Sequence, residues 1–171
     1  TNYYTDGEYV KATLELQNQL LMNQEYVLQL QVTVGSKDIY YYTRVVRQDG
    51  LHTQEYLQFV LDFYQRCLDG SEENLNILAN LIETDLEADN STLSEIDIYN
   101  NVDVLTWGAL APQIDSEPIP SIKEINGTTA SIVLNYTLLA QNEEGQTELY
   151  QVEEFYRLRY TSLQTYLLDF E

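Results

Sequence analysis

The chain is organised around residues 53–85, which form its only clear helical pattern. Apolar residues recur there at three- and four-residue steps in two runs, and Gly70 between the runs suits the left-handed turn that ends a helix. Thr53 and Ser71 are suitable N-caps for the two predicted helices. The runs predict two buried stripes, one of Tyr56, Val60, Phe63, Tyr64 and Cys67, the other of Leu75, Leu78, Ala79, Ile82 and Leu86. Helices with such broad apolar stripes need a sheet to cover.

Strand patterns precede the helical stretch. Residues 1–8 are polar and are interpreted as a leading loop, and the alternation over residues 9–16 predicts a half-buried strand. A clearer strand at residues 26–34 is followed by a turn and by a partner strand at residues 39–47, so we expect a hairpin. The second strand of this hairpin is apolar on both faces, a pattern typical of a central strand that is covered on each side.

Strand patterns also follow the helices. Residues 96–98 begin a strand, and residues 102–107 continue as a strand or a tight apolar connection. Asn126 and Gly127 are a strong hairpin cue, and they separate strands predicted at residues 122–125, 130–140, 148–160 and 163–170. Strands, then two helices, then strands predict an α+β fold. We expect a largely antiparallel sheet with a pair of helices packed on one face, built as one domain over residues 1–171.

The charge of the chain excludes two classes of partner. Eight basic residues against 28 acidic ones give a net charge of −20, which repels phosphate backbones and anionic lipids. We therefore expect no nucleic-acid binding and no direct membrane contact. The apolar content of 44% is far from the composition of a disordered acidic tail, so the chain is expected to fold. Cys67 is the only cysteine, which excludes a disulfide framework within the chain.

No residue pattern predicts catalysis, a cofactor or a metal. His52 is the only histidine, and no Gly-x-Ser-x-Gly elbow accompanies it. The acidic loop at residues 85–97 has the oxygen ligands that calcium prefers, but its spacing does not match an EF-hand loop. Among 28 acidic residues, no pair is singled out for glycoside cleavage. A carboxylate-dependent hydrolase is therefore the least favoured of three functional interpretations.

Five residues form the candidate interaction surface: Tyr40, Tyr42, Val46, Arg157 and Arg159. Tyr40, Tyr42 and Val46 share one face of the second hairpin strand, while Tyr41 lies on the other face. Because the helix pair covers only one face of a sheet, we expect further chain or a partner to cover the Tyr40 face. Arg157 and Arg159 share a strand face. They either bind a carboxylate ligand or, as we favour, pair with Asp or Glu on other strands.

Aromatic strand segments occur at residues 38–44 (DIYYYTR) and at residues 154–161 (EFYRLRYT), the latter followed by YLLDFE at residues 166–171. These segments resemble the extracytoplasmic regions of YycH/YycI-like proteins from Gram-positive bacteria. The resemblance implies an outward-facing accessory regulator of the essential cell-wall histidine kinase, held by a single membrane-spanning helix and without a catalytic motif. It also implies a protein partner, either the membrane sensor kinase or a sister accessory protein.

We therefore predict a non-enzymatic protein-interaction or regulatory domain. It would lie on the outer face of a bacterial cell membrane, anchored by a segment outside this chain. Because the chain begins at Thr1 and its last residues have a strand pattern, it is interpreted as a piece excised from a longer envelope protein. The alternative function is a sugar- or peptide-binding module with a tyrosine-lined groove.

Overall fold

A computed structural model describes residues 2–6, 9–16, 18–142 and 144–171. The chain is 44% strand and 18% helix, and its sheets are mostly antiparallel, so the predicted α+β fold is confirmed. The chain divides into two compact units, Thr1–Gly50 (unit 1) and Leu51–Glu171 (unit 2). A single domain over residues 1–171 stays a prediction. Among the described residues, no helix is both long enough and apolar enough to span a bilayer.

Unit 1 contains two separate hairpins. Strand β1 (Asn2–Asp6) pairs with β2 (Tyr9–Thr13), and β3 (Glu25–Val34) pairs with β4 (Lys37–Val46), both antiparallel. The leading loop predicted at residues 1–8 is therefore wrong over Asn2–Asp6, and residues 1, 7 and 8 lie outside the described part. The β3–β4 hairpin is confirmed. Its two-residue turn contains Gly35 at φ 64°, a left-handed value that glycine adopts without steric cost.

Strand β4 is not a central strand, and this sequence-based expectation is wrong. Among the described residues its ladder partner is β3, and the two strands form a two-stranded sheet of their own. Tyr40, Tyr41 and Tyr42 are 46%, 55% and 66% exposed, so neither face of β4 is covered. The alternation of side chains reports only which residues share a face. It carries no information on whether another layer lies above that face.

Unit 2 contains a five-stranded antiparallel sheet. Its strands are β5 (Gln113–Ile114), β6 (Ile119–Ile125), β7 (Thr129–Gln141), β8 (Thr147–Tyr160) and β9 (Thr165–Phe170). Strands β5 and β6 both pair with β7, which is followed by β8 and then β9. The four strands predicted after residue 121 are confirmed. The Asn126 turn is confirmed as well, since its backbone N–H donates to the Thr129 carbonyl at 2.9 Å.

The helices follow the predicted runs with one shortened end. Helix α1 (Thr53–Asp69) buries all five residues of its predicted stripe and ends at Gly70 with φ 58°. Helix α2 (Glu72–Ala79) begins after Ser71, whose hydroxyl accepts the Asn74 N–H. The second stripe is wrong at Ala79 and at Leu86: α2 stops at Ala79, which is exposed, and Leu86 is 98% exposed. Thr53 is the first helical residue, and His52 before it makes no side-chain cap.

The segment between α2 and the sheet differs from its prediction. Residues 96–98 form no strand, and residues 102–107 contain a short helix, α3 (Val102–Leu105). Ile98 is nevertheless 2% exposed, and its backbone N–H donates to the Phe170 carbonyl at 3.0 Å. The alternating apolar residues of this segment do not form a ladder with another strand.

The core of unit 2 lies between α1 and one face of the sheet. Phe63 of α1 meets the ring of Tyr156 edge-on at 5.6 Å between centroids. The hydroxyl of Tyr56 accepts the backbone N–H of Tyr160 at 3.2 Å, which ties the helix to the end of β8. Leu78 of α2 belongs to the same cluster and is fully buried. The predicted packing of a helix pair on one sheet face is therefore confirmed.

Amide exchange is expected to separate the two units. The β7–β8 ladder lies beneath a buried core, whereas a lone two-stranded hairpin is marginally stable in water. We expect β3 and β4 amides to exchange at least roughly 100-fold faster than β7 and β8 amides, the equivalent of about 2.7 kcal/mol of opening free energy. Hydrogen–deuterium exchange by mass spectrometry on the purified chain measures both ladders in one sample. Equal protection would contradict this description of unit 1.

Candidate functional site

The β3–β4 hairpin, here called the ribbon, presents two chemically different faces. Its register places Leu30 opposite Tyr41 and Gln31 opposite Tyr40. Because side chains alternate along each strand, every second pair belongs to the same face. The apolar face carries Tyr26, Leu28, Leu30, Val32, Val34, Lys37, Ile39, Tyr41, Thr43 and Val45. The mixed face carries Glu25, Val27, Gln29, Gln31, Thr33, Asp38, Tyr40, Tyr42, Arg44 and Val46.

The mixed face contains three of the residues predicted for the interaction surface, Tyr40, Tyr42 and Val46. All three are exposed on it. Polar contacts also occupy this face: the Arg44 guanidinium lies 3.5 Å from the Glu25 carboxylate. Such exposed ion pairs contribute little to stability, so they fix side-chain positions weakly. The role of the three residues in binding stays a prediction.

The apolar face is the larger hydrophobic surface. Val32, Ile39 and Tyr41 are 43%, 39% and 55% exposed. The expectation that the Tyr41 face is covered is wrong, because Tyr41 itself is exposed. Sequence reasoning treated β4 alone and missed the contribution of β3. The missed signal was the hairpin register, since a two-residue turn at Gly35 already places Leu30 beside Tyr41.

Unit 1 has no buried side chain among its described ones, which cover residues 3–5, 10–16 and 18–50. Backbone contacts hold the segment before the ribbon, because the Asn23 N–H donates to the Arg47 carbonyl at 2.8 Å. Exposed large apolar residues outside the ribbon are Tyr3, Tyr4, Val10, Leu14, Leu16, Leu21 and Met22. Large exposed apolar patches are typical of interaction sites.

Arg157 and Arg159 belong to unit 2, so the predicted interaction surface is divided between the two units. The Arg157 guanidinium donates to the Glu124 carboxylate at 2.8 Å and to the Ser131 hydroxyl at 2.6 Å. Arg159 lies over the ring of Tyr166, with 5.4 Å from guanidinium carbon to ring centroid. The favoured interpretation of cross-strand pairing is confirmed for Arg157. Arg159 makes a cation–π contact across the β8–β9 pair.

A buried carboxyl group lies in the core of unit 2. Glu154 is 7% exposed, and its two oxygens accept the hydroxyl protons of Tyr136 at 2.7 Å and of Tyr156 at 2.6 Å. Burial raises the pKa of Glu154, and the two hydrogen bonds offset part of this effect. A raised pKa is what a general acid needs. The two phenols already occupy both oxygens, however, so this carboxyl is held as a structural group.

The other reactive side chains of unit 2 are also held in structural contacts. Burial raises the pKa of the Cys67 thiol well above its ordinary value, which keeps it protonated and poorly nucleophilic. Burial likewise raises the pKa of Tyr64 to about 12. His52 is stacked on the ring of Tyr160 with 3.5 Å between centroids. These contacts favour structural roles for all three residues.

The acidic loop at residues 85–97 uses its carboxylates to close turns. Asp85, Asp89 and Asp97 each accept the backbone N–H of the residue two positions later, at 2.8–2.9 Å. Asx turns of this kind explain the frequency of aspartate in the loop. Among the residues that the structure describes, no group of three or more His, Cys, Asp or Glu side chains is placed to hold a metal ion.

A cleft of about 1340 Å³ lies between this loop and the sheet of unit 2. Its apolar walls include Trp107, Val152 and Phe170, and Tyr99 and Tyr150 add two phenol rings. Ligand pockets combine such walls with a few polar groups. The cleft is therefore the part of unit 2 that suits the alternative function of a ligand-binding module.

Comparison of the chain with protein-family models, curated proteins and solved structures gives no match. The resemblance to YycH/YycI-like proteins stays a prediction.

Replacing Glu154 should change how stability depends on pH. A carboxyl whose folded-state pKa is raised stabilises the fold fully below its ordinary pKa of 4.5, and this contribution is lost as pH rises through the folded-state pKa. In Glu154→Gln the group no longer titrates. We expect wild-type stability to fall relative to the variant as pH rises, with a slope of at most about 1.4 kcal/mol per pH unit.

Urea unfolding of both proteins between about pH 4 and pH 8 measures this difference. Glu153→Gln is the matched control, because Glu153 precedes Glu154 on β8 but is exposed on the opposite face. For each variant, the free energy of unfolding of the wild type minus that of the variant is plotted against pH. If this difference does not change with pH for Glu154→Gln, or changes equally for both variants, the pKa of Glu154 is not raised by folding.

Proposed function

We propose that this chain is a non-enzymatic protein-interaction module and that unit 1 is its docking element. The observation that carries the proposal is the absence of any buried side chain among the described residues of unit 1. Ordering each residue costs about 1–2 kcal/mol of backbone entropy, and apolar burial normally offsets this cost. A unit without a core has little to offset it. Its apolar residues therefore need a surface supplied by another molecule.

The charge and the residue types of unit 1 favour a protein as the molecule that covers its apolar residues. Unit 1 contains six acidic and four basic residues, a net charge of −2, while unit 2 carries the remaining −18. The docking element is thus the nearly neutral part of a strongly acidic chain. Its tyrosines Tyr26, Tyr40, Tyr41 and Tyr42 combine apolar rings with hydroxyl groups that tolerate partial hydration. Both properties are typical of protein–protein interfaces.

The proposed setting is the outer face of a bacterial cell membrane, with an anchor in a segment outside this chain. The resemblance of residues 38–44 to YycH/YycI-like proteins supports this part of the proposal. It favours a membrane sensor kinase or a sister accessory protein as the partner and regulation of the kinase as the role. The geometry supports the docking surface, and the resemblance supports the setting.

Site-specific photo-crosslinking in cells that make the protein tests the docking element. Benzoylphenylalanine in place of Tyr41 should crosslink to protein, because this side chain is 55% exposed on the apolar face. Tyr99 of unit 2 is the matched control at 48% exposure, and it should give at least about fivefold less product. Adding Val32→Asp should remove the Tyr41 product, since a charge within the face opposes burial. Equal products from Tyr41 and Tyr99 would refute docking through unit 1.

The cleft of unit 2 supports the alternative, a sugar- or peptide-binding module. Trp107 is the only tryptophan and lines the cleft, so its fluorescence reports on anything that enters. We titrate chitohexaose and a lysine–alanine hexapeptide, with free N-acetyltryptophanamide as the optical control. The interaction module predicts no saturable change up to about 1 mM, a concentration that detects even weak binding. A saturable shift in the protein alone would favour the alternative.

A further inference from the structure

The apolar face of the ribbon has the area of a weak interface. Two ten-residue strands are about 34 Å long, and with side-chain overhang their face is about 15 Å wide, which gives roughly 500 Å². Leu21 and Met22 extend it at the open end, where the Leu21 N–H donates to the Tyr26 hydroxyl at 3.1 Å. Two such faces together bury roughly 1,000 Å², the lower limit for a specific interface. An interface of this size is typical of weak, transient association.

The distribution of charge permits two identical copies to meet at this face. A pair of whole chains carries −20 on each side, but unit 1 carries only −2. Lys37 is the only charged residue on the apolar face, and it lies beside the turn. In a two-fold arrangement the two Lys37 residues lie at opposite ends, roughly 30 Å apart and beyond the Debye length of about 8 Å. Like charges therefore do not oppose each other there.

The same face offers little to select a different partner. Heterologous partners are discriminated largely through complementary charges, and this face has a single positive charge at one end. A two-fold interface brings the same patch of both chains together, so the apolar face of one copy meets an apolar face on the other. Leu30 and Tyr41 form the central pair of the ribbon, so an axis through them superposes the two faces along their length.

We propose that the occupant of the apolar face is a second copy of this chain. Two ribbons pack apolar face to apolar face about a two-fold axis near Leu30 and Tyr41, which forms a four-stranded, two-layer sandwich. The proposal rests on the function proposed above and assigns only the apolar face to a second copy, which leaves the mixed face for the kinase or sister accessory protein. The mixed faces, with Tyr40 and Tyr42, point outward on both sides of the sandwich.

Analytical ultracentrifugation of the chain between about 1 and 200 µM tests the dimer. We expect a monomer–dimer equilibrium with Kd of roughly 10–100 µM, as for a weak, transient interface. Val32→Asp on the apolar face should weaken it at least tenfold. Val27→Asp is the matched control on the mixed face, with the same substitution on the same strand, and should leave Kd unchanged. A wild-type chain that stays monomeric, or equal effects of the two variants, overturns the proposal.

Val32→Asp could weaken the dimer simply by unfolding the hairpin, so a second experiment measures the formation of a crosslinked dimer. Tyr41→Cys near the axis should be linked to its copy by a bismaleimide of about 8 Å span, since packed sheets lie about 10 Å apart. Tyr42→Cys on the mixed face should give at least fivefold less linked dimer, and buried Cys67 does not compete. Equal yields overturn the proposal. If Tyr41 instead photo-crosslinks only to a different protein, the second copy is refuted while docking through unit 1 remains supported.

Discussion

The packing of α1 on the face of β7, β8 and β9 is the interaction on which the folded core depends. Tyr56, Val60 and Phe63 bury one helical stripe against side chains such as Tyr156 and Phe170. This contact is what the long β7–β8 ladder needs, because a sheet with an uncovered apolar face is not stable alone. Leu78 of α2 and Ile98 join the same cluster, so the short elements are held by the layer that α1 begins.

Unit 1 shows what happens without such a layer. The β3–β4 ladder is complete, with ten residue pairs in register, yet no described side chain of the unit is buried. Net hydrogen-bond contributions are small because the unfolded chain bonds to water. The ribbon therefore has order without burial, and its apolar face is the place where another molecule contributes most. Binding of another molecule to the apolar face would therefore also stabilise the ribbon.

Glu154 shows the opposite arrangement, an acidic side chain inside the core. Its cost is limited because the hydroxyls of Tyr136 and Tyr156 donate to both carboxylate oxygens. Removing a carboxylate from such a network leaves two phenols without their acceptor. The contacts explain why a glutamate is retained among apolar residues, and they separate this acid from the solvated carboxylates of the acidic loop, which close turns.

The sequence by itself determined the local parts of this protein. Spacing and turn chemistry within a few residues predict the stripe of α1, the left-handed end at Gly70 and the Asn126 turn. Only the tertiary structure decided that β4 stays uncovered, that α2 stops at Ala79 and that Glu154 is interior. Periodicity records which side chains share a face, but burial depends on a second layer contributed by distant residues. For this reason the exposed tyrosines of β4 and the buried tyrosines of β7 and β8 show the same alternation along their strands.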